Sequence, residues 1–175
     1  MNASLVSRLG ALIIALMLPL LAIAEPATGS MAPAFRLQDQ HDAWVSLADQ
    51  KGKWLVVYFY PMDETPGCTT EACEFRDNIF AFRRLGVNVL GISVQNVASK
   101  KEFAAKHSLP FSVLADSNKA VAKAYGVLGI LGFAHRETFV IDPQGRIAKH
   151  YADVDPKAHS KQLLADLQVM IKPAS

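Results

Sequence analysis

Cysteine is scarce in this chain. Cys68 and Cys73 are the only two among 175 residues. They are not spaced C-x-x-C, so the usual signature of a dithiol–disulfide exchange enzyme is missing. Runs of basic residues are also absent, and the net charge is +2, which excludes nucleic acid as an expected partner. The five histidines, His41, His107, His135, His150 and His159, show no paired ligand spacing, so neither a metal nor any other cofactor is expected. The segment GVLGILGF places Gly126, Gly129 and Gly132 close together. It lacks the strand before and helix after that a dinucleotide or phosphate loop requires, and reads as a hydrophobic loop. Internal repeats and low-complexity tracts are absent too.

No apolar run reaches the roughly 20 residues of an ordinary membrane span. The longest, Leu9–Ala24, follows Arg8, is broken by Pro19 and ends Ala22-Ile23-Ala24. A small-x-small ending of this kind marks a cleavable export signal over residues 1–24, with Glu25 as the new N-terminus. Residue 25 is not cysteine, so a lipid anchor is not expected. The reading is export to a bacterial periplasm without stable membrane association after cleavage; an uncleaved N-terminal anchor is the alternative. Export removes one positive charge, that of Arg8, and moves the cysteines to a compartment that permits disulfides.

What remains fits one domain with a single core. Residues 25–34 are small and Pro-rich and read as a linker or extended arm. From residue 35 to 175, strands and helices alternate. Phe35–Leu37 and Trp44–Leu47 suit a small hairpin. KWLVVYFY over Lys53–Tyr60 is the strongest strand signal, a β-branched and aromatic run fit for a sheet buried on both faces. A helix over Thr69–Leu85 follows, with Phe75, Ile79 and Phe82 on one face and Gly86 at its end. Val87–Val94 is a second buried strand. Ser99 and Glu102 form the pattern of a capping box for a helix to Lys106. Phe111–Ala115 is a strand, and a short helix runs from Asp116 or Ser117 to Tyr125. Thr138–Ile141 and Arg146–Tyr151 flank the turn Asp142-Pro143-Gln144-Gly145. Asp155 and Pro156 open a last helix with Leu163, Leu164, Leu167, Met170 and Ile171 on its apolar face. This order predicts an α/β architecture, a central mixed sheet flanked by helices in the thioredoxin-like arrangement.

Chemistry in open α/β sheets sits beyond the carboxyl ends of strands, where the loop PMDETPGCTT lies. Cys68 falls at the start of the helix after the strongest strand, where unpaired N–H groups and the helix dipole favour a thiolate. That alone is worth little. Lowering a thiol from pKa ~8.5 to ~6 raises the thiolate fraction about thirty-fold at pH 7. The accompanying loss of nucleophilicity removes roughly ten-fold. A reactive Cys68 therefore needs hydrogen bonds aimed at the reacting atoms. Thr65 carries a hydroxyl three residues earlier, Pro61 and Pro66 stiffen the loop, and Gly67 permits close approach.

The segment YFYPMDETPGCTTEACEFRDN resembles the active-site region of peroxiredoxins of the bacterioferritin-comigratory-protein or peroxiredoxin Q group. Pro61, Thr65 and Cys68 match its P-x-x-x-T-x-x-C motif. Cys73 matches its resolving cysteine, and Arg136 in HRETFVID matches its late arginine. The resemblance implies a thiol peroxidase acting on hydrogen peroxide and organic hydroperoxides. Cys68 is then the peroxidatic cysteine and Cys73 the resolving one. Arg136 holds the thiolate and peroxide oxygens, and Glu71, three residues after Cys68, orients the arginine. The implied partners are peroxides and a thioredoxin-like dithiol reductant, and the implied state is a monomer.

Residues five apart in a regular helix have Cα atoms about 8.6 Å apart, beyond the ~7 Å limit for a disulfide. Bonding of Cys68 to Cys73 therefore requires the first helical turns to unwind. Two other readings stay open on the residues themselves: a dithiol–disulfide oxidoreductase, and a non-catalytic module whose cysteines form a structural disulfide.

Overall fold

The computed structural model describes residues 26–171. The expected export signal and its cleavage point at Glu25 lie outside the described residues. Seven strands form one sheet in the order β2-β1-β5-β4-β3-β6-β7. They are β1 (Arg36–Asp39), β2 (Trp44–Ser46), β3 (Trp54–Phe59), β4 (Val87–Ser93), β5 (Ser112–Ala115), β6 (Glu137–Ile141) and β7 (Ile147–Tyr151). Four helices connect or follow them: α1 (Pro66–Arg84), α2 (Val97–Lys106), α3 (Ala120–Ala124) and α4 (His159–Ile171). β3, β4 and β5 are parallel neighbours; the remaining pairs are antiparallel, including the β1–β2 and β6–β7 hairpins. The mixed sheet and flanking helices agree with the α/β expectation.

β3 is central because its side chains are apolar on both faces. Side chains alternate along a strand. Val56, Tyr58 and Tyr60 join Phe75, Ile79, Phe82, Leu163 and Leu167 in the core beneath α1 and α4. Leu55, Val57 and Phe59 join Leu90, Ile92, Tyr125 and Phe139 in the core on the opposite face. Gly91 on β4 is demanded by this packing, since a Cβ there would lie 2.6 Å from the Tyr58 ring. Residues 29–32 run along the β6–β7 turn: Gly29 N–H donates to Ile147 O at 2.7 Å and Ala32 N–H to Gly145 O at 2.9 Å. Among the described residues no helix is long and apolar enough to cross a membrane.

Several helix starts differ from expectation. α1 begins at Pro66, three residues earlier than its periodicity suggests, because Pro at the first position is preorganised for a helix. α2 is capped by Asn96, whose side chain accepts from Ser99 N–H, so no Ser99–Glu102 capping box forms. α3 shortens to Ala120–Ala124 after Lys119 adopts a left-handed φ of 62°. Asp116 still serves this helix, accepting from the N–H groups of Val121 and Ala122 at 3.2 and 2.8 Å. Asp155 and Pro156 close a separate turn, with His159 N–H donating to Asp155 O at 3.0 Å, and α4 starts only at His159.

Candidate active site

The carboxyl end of β3 delivers the chain into Tyr60 and the loop 61–65, and α1 starts immediately after it. Thr65 occupies the N-cap position with extended backbone, but its hydroxyl does not cap the helix. It donates instead to the Met62 carbonyl at 3.0 Å, which tightens the loop. Cys68 is therefore the third helical residue, within the turn whose N–H groups lack helical partners. Its side chain is buried and its thiol is free. Cys73 lies five residues on in the same helix, half-buried and also free.

Arg136 lies just before β6, the strand beside β3, where Glu137 pairs with Phe59, and reaches this turn from there. Its Nη2 donates to Cys68 Sγ at 3.3 Å. Its Nη1 donates to Glu71 Oε2, closing an ion pair. Gly67 leaves room for that approach: a Cβ at Gly67 would stand 3.1 Å from Arg136 Nη2. Glu71 is buried, and its Oε1 has no hydrogen-bond partner among the described residues. Burial pushes its carboxyl up to about 7, against the opposing pull of Arg136. Burial works against the Arg136 charge as well, but Glu71 and Cys68 outweigh it and hold the guanidinium above its ordinary range. One cation thus bridges two groups that carry or can carry negative charge. A guanidinium presents several donors in a rigid fork, which suits holding a sulfur and an adjacent oxygen together.

Cys68, Glu71 and Arg136 are brought into direct contact, while Thr65 and Pro61 shape the loop beside them. Pro61 is half-buried at the loop's start. His135 is not part of the cluster; it faces Gly129, where a Cβ would stand 3.1 Å from its Nε2. The GVLGILGF loop forms a tight turn, with Gly129 N–H donating to Phe133 O at 2.8 Å, and exposes Ile130 and Leu131 at its tip.

One part of the site is not anticipated by the sequence motifs. Asp63, inside the loop, is buried and bound to Lys100 of α2, whose Nζ lies 3.0 and 2.9 Å from its two oxygens. Tyr60 and Ser99 hydroxyls also donate to it, at 2.7 and 2.6 Å. A signal for Lys100 exists: it shares a helical face with Phe103 and Ala104, both buried.

Residues 28–150 match the AhpC/TSA family. A chloroplastic peroxiredoxin Q from Suaeda salsa is 43% identical over 149 residues, covering 83% of this chain and 70% of the relative. Peroxiredoxin Bcp from Bacillus subtilis is 39% identical over 150 residues, covering 81% of this chain and 95% of the relative. Among solved structures, a peroxiredoxin Q from Xylella fastidiosa superposes with a TM-score of 0.80 at 29% identity, covering 85% of this chain and 99% of that one. The bacterioferritin comigratory protein of Xanthomonas campestris, studied for its alkyl peroxide reduction activity, gives 0.75 at 31% identity, covering 79% and 92%.

Proposed function

This chain belongs to the AhpC/TSA family, as a thiol-dependent peroxidase of the peroxiredoxin Q and Bcp kind, and from that premise we propose that Cys68 performs the peroxide chemistry and Cys73 resolves it. The observation that carries the assignment is the 3.3 Å contact between Arg136 Nη2 and Cys68 Sγ at the first turn of α1.

In the first step the Cys68 thiolate attacks one peroxide oxygen. The S–O bond forms, the O–O bond breaks, and the leaving oxygen takes a proton to become water or an alcohol. Cys68 is left as a sulfenic acid. Arg136 stabilises the thiolate beforehand and the oxygen charge as it develops, while Glu71 holds the guanidinium in place. This is electrostatic stabilisation by a donor already aimed. Thr65 and Pro61 fix the loop that borders the sulfur. In the second step the Cys73 sulfur attacks the sulfenic sulfur, water leaves, and a Cys68–Cys73 disulfide results. A thioredoxin-type dithiol then reduces this bond by exchange and is itself oxidised. Alkyl hydroperoxides are substrates beside hydrogen peroxide, as the Xanthomonas relative's studied activity suggests for that protein.

The apolar run ending Ala22-Ile23-Ala24 supports export and cleavage before Glu25. An exported enzyme needs a dithiol donor in its own compartment, so the reductant would be a membrane-fed thioredoxin-like protein rather than a cytoplasmic one. The mature enzyme would be a monomer in the periplasm. Intact mass of the protein from its native host tests the cleavage; retention of residues 1–24 overturns it.

Two variants test the roles of the cysteines. Cys68→Ser abolishes peroxide consumption. Cys73→Ser consumes one equivalent and stops as a sulfenic acid, visible by mass. Steady turnover by Cys68→Ser, or a full cycle by Cys73→Ser with the same dithiol donor, overturns the assignment.

A further inference from the structure

The Asp63–Lys100 pair lies inside the protein with no solvent contact at the Lys100 side chain. Its hydrogen bonding is complete. An ammonium has three donors, and Lys100 directs them to the two Asp63 oxygens and to Ser93 Oγ of β4. Asp63 in turn accepts from Tyr60, Ser99 and Lys100. Its backbone N–H donates to Gln95 Oε1. One side chain of the loop is thereby fastened to the end of β3, to β4 and to the first turn of α2. The next residue, Glu64, has a left-handed φ of 64° and pairs with Lys106 and His107 at the far end of α2. Consecutive loop residues are thus tied to opposite ends of one helix.

A pair of this kind is not explained by stability. Replacing a buried ion pair with apolar side chains of similar volume is often neutral or stabilising, because the cost of desolvating two charges largely offsets their attraction. The pair's position supplies a different reason. Asp63 lies midway between Pro61 and Thr65 in the loop that leads directly into the Cys68 turn. The sulfur itself accepts from Arg136 Nη2 at 3.3 Å. Lys100 also lies close enough for charge on Cys68 to bear on it: burial lowers its pKa, while Asp63 and, to a smaller extent, Cys68 hold it up.

We propose that the buried Asp63–Lys100 pair is a positioning device for the peroxide step, which locks loop 61–65 so that the Cys68 turn meets the peroxide and Arg136 in register. Asp63 and Lys100 act through the loop and touch neither substrate nor sulfur. The inference rests on the peroxidase reading above and deepens it.

The test uses the full-length mature protein carrying the double substitution Asp63→Leu with Lys100→Met, which removes both charges together and leaves neither unpaired. Two rates are measured by stopped flow on reduced protein: sulfenate formation with hydrogen peroxide, and alkylation of Cys68 by iodoacetamide, which requires a thiolate but no aimed peroxide. The expected result is a peroxide rate lowered by roughly ten- to hundredfold, the scale of an ångström misplacement of reacting groups. Alkylation falls far less. Unchanged peroxide reduction, or equal loss of both rates, overturns the proposal. If the double variant does not fold, Asp63→Asn, which keeps the shape and one acceptor oxygen, is measured by the same two rates: a selective loss of the peroxide rate supports the positioning role, and no loss or an equal loss of both overturns it. The unsubstituted protein runs alongside; its failure to consume peroxide would sink the peroxidase reading itself, separately from the role of the pair.

Discussion

Arg136 stands between Cys68 and Glu71, with its Nη2 3.3 Å from the sulfur and its Nη1 on the carboxylate. The guanidinium's plane is therefore fixed before any substrate arrives. Substituting Arg136→Met removes the aimed donor and leaves Glu71 without a partner. The expected loss in kcat/KM for peroxide is roughly hundred- to thousandfold, as for removal of one oxyanion donor. Arg136→Lys recovers little, since a point charge cannot span both groups. Steady-state kinetics with a fixed dithiol donor checks this; activity of Arg136→Met within a few-fold of the parent would refute the role.

Glu71 should make the folded state less stable as pH rises. Its carboxyl is pushed up to about 7 by burial, from 4.5 when exposed. A group whose pKa rises on folding contributes fully below its unfolded value, and that contribution fades as pH climbs through the folded value. Between pH 4.5 and 7 the folded protein binds the extra proton. Above that range the carboxylate must be charged inside the protein. Glu71→Gln removes this dependence. Urea unfolding of reduced protein at pH 5 and pH 8 should show the variant gaining on the parent at the higher pH. An equal difference at both values would contradict the assignment.

How far the sequence reveals this arrangement depends on whether each signal is local. β3 is legible because an unbroken apolar run has few other uses, and the β6–β7 hairpin because its turn carries Asp142, Pro143 and Gly145. Cys68 and Cys73 are legible as a spaced motif. Ser99 misleads because its hydroxyl, locally suited to a cap, is drawn to Asp63, thirty-six residues away. Lys100 does not stand out because a lysine reads by default as a solvated charge. Only its place on the Phe103 face of α2 indicates otherwise. Contacts made through tertiary packing leave such traces at most.

Oxidation should loosen the start of α1. The first turns are held by local bonds: Thr69 N–H donates to Thr65 O at 2.9 Å, and Thr70 Oγ1 to Pro66 O at 2.8 Å. Two cysteines five apart in a regular helix cannot meet, since their Cα atoms are about 8.6 Å apart and a disulfide allows roughly 7 Å. Forming the disulfide therefore requires the helix to unwind between residues 68 and 73. Amide hydrogen exchange over residues 66–76 should be faster in the oxidised protein than in the reduced one, with residues 77–84 little changed. Equal protection of 66–76 in both forms would argue against unwinding.

His159 should set an acid limit on stability. It is buried at the start of α4, with Nε2 2.9 Å from Thr138 Oγ1 and its ring edge-on to Phe75 and Tyr151. Burial lowers its pKa from 6.5 to about 4, with Gln162 and Asp166 opposing weakly. The imidazole is thus neutral when folded, and the unfolded chain binds the extra proton between pH 6.5 and 4. Its contribution is fully present above pH 6.5 and is lost as pH falls through that window. The loss is on the order of 3 kcal/mol by pH 4. His159→Gln keeps polar atoms for Thr138 but cannot be protonated. It should cost stability at pH 7 through poorer packing, yet show a shallower decline toward pH 4. Thermal unfolding of both proteins across this range separates the cases: parallel curves would mean that His159 does not titrate on unfolding, and that another buried group sets the limit.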